Sequence, residues 1–367
     1  MSAARTLEAP AKIHPGPDER DARQDAGLRR RLRGGQIAAA LALALFLPFV
    51  LPQSWSFILT AAVTTSIVSL SIVVLTGYVG QISLCQATFV GVGAYASARL
   101  TGDLGVPFIL ALPLSGLAAV PVGLLAGVPA LRLRGLYLAI ATLGFGGAVQ
   151  ATLFSNKRLT GGISGVALER PSVFGIDLSG DRSYYLFCLL VFLALVVFTL
   201  NVQRSKTGRA FTAIRDAEVA AAASGVSLAR YKMAAFALSA FIAGVGGSLF
   251  GHAMLSVNSA SFDIFHSIAY LIPMIIAGVG SVVGAALAGF LVNILPNAVG
   301  RLIPGNLFLV ILSTLMLVQI AVAPDGIVGQ MRRQEDAIVR LLLKRRGQGG
   351  SLTSAADTVG DATLEER

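Results

Sequence analysis

The chain has 367 residues, of which 55% are hydrophobic and 13% charged, with a net charge of +10 and two cysteines; mean hydropathy is +0.75. A soluble domain carries roughly 25% charged residues, so half the usual charge is missing and an ordinary water-soluble domain is excluded. The surplus of Lys and Arg does not indicate nucleic-acid binding: it sits at the ends and in loops, where it sets membrane orientation, and no interleaved aromatic and basic surface is present to stack bases.

Residues 1–35 hold charges and prolines with no apolar run directly after the start, which argues against a cleavable leader and for a disordered cytoplasmic arm. Apolar segments follow at about 36–52, 56–76, 81–101, 108–130, 135–155, 183–202, 232–255, 265–281, 284–300 and 306–323. Between Gln36 and Leu131 the only Asp, Glu, Lys or Arg are Arg99 and Asp103. Such runs read as membrane spans, and with alternating strands absent the expected fold is an all-α integral membrane protein of about ten transmembrane or half-spanning helices. The shorter first, eighth and ninth segments fit tilted or half-spanning helices.

Threading ten segments with "RRRLR" (29–33) inside puts the loops "RLR" (132–134) and 203–232 and the basic tail inside as well. The loop 156–182, mixed in sign, falls outside. This agrees with the positive-inside rule and places both termini in the cytoplasm. The domain reading is an arm (1–35), a membrane domain (36–330) and a cytoplasmic tail (331–367). The small-residue pairs Gly123/Gly127, Gly247/Gly251 and Gly280/Gly284 are candidates for close helix packing. Cys85, Cys188, His14, His252 and His266 show no metal-ligand or disulfide spacing and read as structural.

The missing charges also bear on mechanism. Ion-driven transporters keep titratable or ion-coordinating groups within the membrane, and these spans hold essentially none. No phosphate-cradling Gly-rich loop, Ser/His/Asp arrangement or metal cluster is present. The chain reads as a passage with no energy source, not an enzyme, and with no cofactor of its own.

Against this background "SKTGRAFTAIRDAEVAAAASGVSLARYK" (205–232) stands out. Its alanines favour helix over residues 209–223. Phe211, Ile214 and Ala217 form an apolar stripe, with Thr212, Arg215, Asp216 and Glu218 polar. Arg215 and Glu218, three apart, are placed to pair. Gly225 suits the left-handed residue that ends a helix, and Ser227 the N-cap of the next span. A short helix, a sharp turn and a membrane helix make a lever that a separate ATPase could push; a loop helix lying on the lipid surface has the same pattern.

Residues 208–250 resemble the cytoplasmic loop and following helix of the branched-chain amino acid ABC transporter permeases, in the LivM-like form. "GYVGQISLCQATFVGVGAYASA" (77–98) is similar to that family's signature, and "LRLRGLYLAIATLGFGGAVQ" (131–150), "LTGGISGV" (159–166), "AGVGSVVGAALAG" (277–289) and "PDGIVG" (324–329) match in order. The resemblance spans about residues 36–330. It implies an importer of hydrophobic amino acids in the cell membrane, with cytoplasmic ATPases, a homologous LivH-like permease subunit and an extracytoplasmic solute-binding protein as partners. On this carry-over Gly208, Arg209, Arg215, Asp216, Glu218, Ala221 and Gly225 form the coupling helix that docks the ATPase. Glu218 stands seven places before Gly225, one more than in the general permease motif, and Cys85 and Gln86 depart from the family's usual Gly and His.

Gln81, Ser83, Gln86 and Thr88, with Gly91, are polar or small positions on an otherwise apolar segment. They either line the passage or bind helices together. "TGGISG" (160–165) is a gate, a contact for the binding protein or a simple flexible loop. Cargo is not readable from neutral spans: urea or short amides are the alternative within the family, and a passive channel the alternative outside it.

Overall fold

The computed structural model describes residues 41–162, 165–173, 175–299 and 326–330, with Gly35, Ala39 and Thr314 singly. Apart from Gly35 and Thr314, the arm, the segment 306–323 and the tail therefore lie outside the described residues, as do Ile163 and Ser164 of the Gly-rich loop. Phe46–Gln330 forms one compact body.

The described chain is almost entirely helical: α1 (Leu41–Val50), α2 (Gln53–Ile72, running on as a wide π turn to Tyr78), α3 (Gln86–Gly102), α4 (Phe108–Gly127), α5 (Gly135–Val149, continued to Phe154), the single turn α6 (Lys157–Thr160), α7 (Asp181–Arg204), α8 (Lys206–Asp216), α9 (Glu218–Ala223), α10 (Leu228–Met254), α11 (Ile264–Ala277) and α12 (Val282–Gly289, continued to Ala298). Five of these, α2, α4, α5, α7 and α10, are long and apolar enough to cross a membrane, and α1, α11 and α12 are shorter apolar helices. The strands are four two-residue pieces in loops, β1 (Val166–Ala167), β2 (Ser172–Val173), β3 (Ile176–Asp177) and β4 (Ser256–Val257).

α10 is the hub, packing on α2, α3 and α4. Glycine makes this possible. A Cβ added at Gly93 of α3 would overlap the backbone of Gly244 on α10, and one at Gly247 would overlap the Val90 carbonyl, so the two helices meet backbone to backbone. Gly123 and Gly127 of α4 likewise lie against Phe236 of α10. The expected Gly280/Gly284 pair does not mediate a crossing: Gly280 has open space and Gly284 faces the adjacent turn at Gly278.

Polar side chains supply the rest of the joinery. Ser248 donates to Ser97 at 2.7 Å, Tyr184 Oη to the Leu249 carbonyl at 2.7 Å, and Asn293 Nδ2 to Thr65 at 3.0 Å. Each such bond in a membrane protein is worth about 0.6 kcal/mol on average. Large apolar side chains such as Leu117, Leu125, Leu136, Ile140 and Leu190 remain exposed on the outer faces of α4, α5 and α7, a surface suited to lipid or an apolar partner.

Contacts fix which loops share an end. At one end, Arg215 of α8 reaches the Gly77 carbonyl, and Arg134 and Ala130 of the α4–α5 turn meet Glu218 and Lys232. At the other, β1 pairs antiparallel with β4 through Val166↔Val257, and the Phe108 ring lies 4.5 Å from His252. The helices α2, α3, α4, α5, α7 and α10 therefore alternate in direction, as the threading expected.

α3 is shorter than the segment 81–101. Residues 80–85 are unwound and α3 begins only at Gln86. Irregular backbone within a membrane protein is tolerated when it is buried and satisfied by neighbours. Leu84 N donates to Thr142 Oγ1 and Ala87 N to Ser267 Oγ, both at 3.0 Å, and Thr76 Oγ1 donates to the Gln81 carbonyl at 3.1 Å.

Candidate functional site

The segment 205–227 folds as two short helices, not one. Ser205 caps α8 by accepting from Gly208 N at 3.4 Å, and the chain breaks at Ala217 (φ −156°, ψ 90°) before α9 begins at Glu218. Gly208 is required where it stands, because a Cβ there would overlap the carbonyls of Val202 and Gln203 in the last turn of α7. Phe211 and Ile214 are buried, as the apolar stripe predicts, and the Phe211 ring stands edge-on to Tyr231 of α10. Ala217, the third member of that stripe, is exposed instead.

Gly225 adopts φ 83° and ends α9 as expected. Ser227 does occupy the N-cap position of α10, but its side chain makes no capping bond.

The expected Arg215–Glu218 pair does not form. The break at Ala217 rotates the two residues onto different faces. Arg215 donates through Nη1 to the Gly77 carbonyl at 2.9 Å and through Nε to Asp216 at 3.1 Å. Glu218 turns into the bundle instead: Oε1 accepts from Lys232 Nζ at 2.5 Å and Oε2 from Arg134 Nε at 3.0 Å. Lys232 is only 2% exposed and donates again to the Ala130 carbonyl at 3.0 Å.

Sequence reasoning misses Lys232 and Arg134. A cue exists for Lys232, since a cation one turn inside an apolar helix needs a buried counter-charge.

The anticipated coupling residues thus divide. Gly208, Glu218 and Ala221 face the bundle, while Arg209, Arg215, Asp216 and Gly225 are exposed together with Val219, which is 74% exposed.

The other anticipated group lies around the unwound stretch. Gln86 is fully engaged in joining helices: Oε1 accepts from Ser71 of α2 at 3.0 Å and Nε2 donates to Ser239 of α10 at 3.3 Å. Ser83 lies 3.1 Å from Cys85 Sγ. Thr88 faces Gly146 of α5, and Gly91 makes room for the rings of Phe154 and Phe262. Gln81 differs from the rest: its Oε1 is buried with no hydrogen-bond partner among the described residues. Towards the opposite end, Val92, Tyr95, Arg99 and Phe154 line a cavity of about 170 Å³. Among the described residues no group of His, Cys, Asp or Glu could hold a metal ion.

A family profile described as the permease component of branched-chain amino acid transport systems matches residues 54–320. The high-affinity branched-chain amino acid transport system permease protein LivM of Escherichia coli (strain K12) is 32% identical over 322 residues, spanning 81% of this chain and 75% of its own length. The protein of the same description from Salmonella typhimurium (strain LT2) is 31% identical over the same shares. No solved structure matches.

Proposed function

Because the chain belongs to the family of permease components of branched-chain amino acid transport systems, we propose that it carries branched-chain amino acids inward with its 203–227 loop in the cytoplasm, driven by ATPase subunits seated on the exposed face of α8–α9. The observation that carries this reading is a polar two-helix handle, tied at three points to a body whose spans are almost free of charge. Spans with so few titratable groups are poorly suited to harnessing an ion gradient, and a handle outside them receives force from a partner.

The exposed residues Arg209, Asp216 and Val219 form the seat, and Val219 at the tip is its apolar centre. The uncovered apolar faces of α4, α5 and α7 supply the contact with a second, homologous permease subunit and with lipid. The opposite end, where β1 and β4 tie two loops together, receives the solute-binding protein. The cargo passes the unwound 80–85 stretch, where Gln81 Oε1 offers an acceptor suited to an ammonium group.

The test is the Val219→Arg variant expressed with the ATPase and permease partners. ATPase retention through purification and ATP-dependent leucine uptake are both expected to fall at least tenfold, because the variant buries an unpaired charge in the docking interface. Retention and uptake equal to wild type would overturn the seat. Uptake of urea or acetamide in preference to leucine would overturn the cargo.

A further inference from the structure

Adjacent residues of the handle point in opposite directions, and this separates two tasks. Val219 faces outward, while the carboxylate of Glu218 is spent inside. Both of its oxygens are taken, one by Lys232 Nζ at 2.5 Å and the other by Arg134 Nε at 3.0 Å, and the side chain is 13% exposed. At that exposure the carboxylate presents little of itself to a docking ATPase.

We propose that Glu218 is a positioning residue that clasps the coupling helix to the bundle, so that movement of the handle is passed on to α10 and to the α4–α5 turn; this rests on the ATP-driven permease reading above. Three elements meet at this one carboxylate: α9 through Glu218 itself, α10 through Lys232, and the α4–α5 turn through Arg134, with Lys232 also donating to Ala130 of that turn at 3.0 Å.

The partner is well chosen for transmission. α10 is the helix on which α2, α3 and α4 all pack, and α2 leads directly into the unwound 80–85 stretch. The clasp also sits just past the break at Ala217, the place where a push on α8 would otherwise be absorbed by bending. A buried ammonium whose carboxylate is removed stays uncompensated, which keeps Lys232 and Glu218 together through any motion that does not unfold the site.

Two measurements test this. On the purified chain, a double-mutant cycle with Glu218→Gln, Lys232→Met and the two combined is expected to show coupling of about tenfold in the unfolding equilibrium, with the double variant more stable than Glu218→Gln alone because no unpaired ammonium remains. Additive effects would overturn the clasp whatever the cargo is.

In liposomes holding the complete importer, all of these variants are expected to retain the ATPase and hydrolyse ATP within about twofold of wild type. Cargo moved per ATP is expected to drop about tenfold in Lys232→Met and in the double variant, and to be largely restored by Lys232→Arg, which keeps the charge pair. Unchanged cargo per ATP in the double variant would overturn the proposal, as would loss of the ATPase in Glu218→Gln that Lys232→Met does not share. If the cycle shows coupling while wild type moves no amino acid, the clasp stands and the permease reading falls.

Discussion

The α3–α10 crossing gives the sharpest prediction about the body, through Gly93→Ala. An added Cβ at this position would overlap the carbonyl oxygen, carbonyl carbon and Cα of Gly244. These are backbone atoms in the middle of a 27-residue helix, so no side chain can swing aside and the helices must separate. Overpacking of this kind costs about 1–3 kcal/mol, and separation also weakens the neighbouring contact of Gly247 with Val90 and the Ser97–Ser248 bond of 2.7 Å. The expected loss is therefore near 2 kcal/mol, roughly a thirtyfold change in the folding equilibrium.

Gly144→Ala is the internal control. Gly144 lies within α5, is exposed and has nothing within 4 Å of an added Cβ, so the change should stabilise the chain by about 0.5–1 kcal/mol through helix propensity alone. The assay is denaturant unfolding of the purified chain in detergent, followed by circular dichroism. Equal destabilisation by both variants, or none at Gly93, would refute the close-packed crossing. Gly244→Ala should open a different contact, since its added Cβ meets Ser115, Gly116 and Ala119 of α4.

Other outcomes follow from individual contacts. Gly208→Trp should displace α8 from α7, given the overlap already reached by a single Cβ, and abolish retention of the ATPase in a pull-down. Gln86→Leu removes two bonds joining α2, α3 and α10; a stability loss of about 1 kcal/mol with uptake within about threefold of wild type is expected, and a far larger fall in uptake would make it a lining residue. Gln81→Leu should lower amino acid uptake about tenfold while raising stability by about 1 kcal/mol, because it removes a buried acceptor with no partner among the described residues. Tyr184→Phe removes the extra bond from Tyr184 Oη to the Leu249 carbonyl and should lower the unfolding midpoint by an amount equivalent to about 1 kcal/mol.

The membrane class, the alternation of helix direction and the family were all legible in the residues. They depend on properties that local sequence carries: the charge-free runs, the basic loops and ordered motif blocks such as 77–98 and 208–250. Gly225 was legible for a similar reason, since a helix end needing positive φ selects glycine.

The ion pairing was not legible. Spacing favoured Arg215 with Glu218, but the backbone breaks at Ala217, and the partners of Glu218, Arg134 and Lys232, lie on other elements. The unwound 80–85 stretch was hidden too. Its composition suits a helix, but its backbone is bonded by side chains from elsewhere, Thr142 on α5 and Thr76 at the end of α2. The crossing at Gly93 and Gly244 leaves no mark in the spacing of glycines along one helix, because its two members lie on different helices.

The central claim, a route through lipid whose power arrives through the α8–α9 handle, is tested most directly by sealed liposomes supplied with leucine and ATP. Vesicles holding this chain with its permease, ATPase and binding-protein partners should concentrate leucine only when ATP is present, and vesicles holding this chain alone should not concentrate it at all. Accumulation against a gradient by the chain alone would contradict the account.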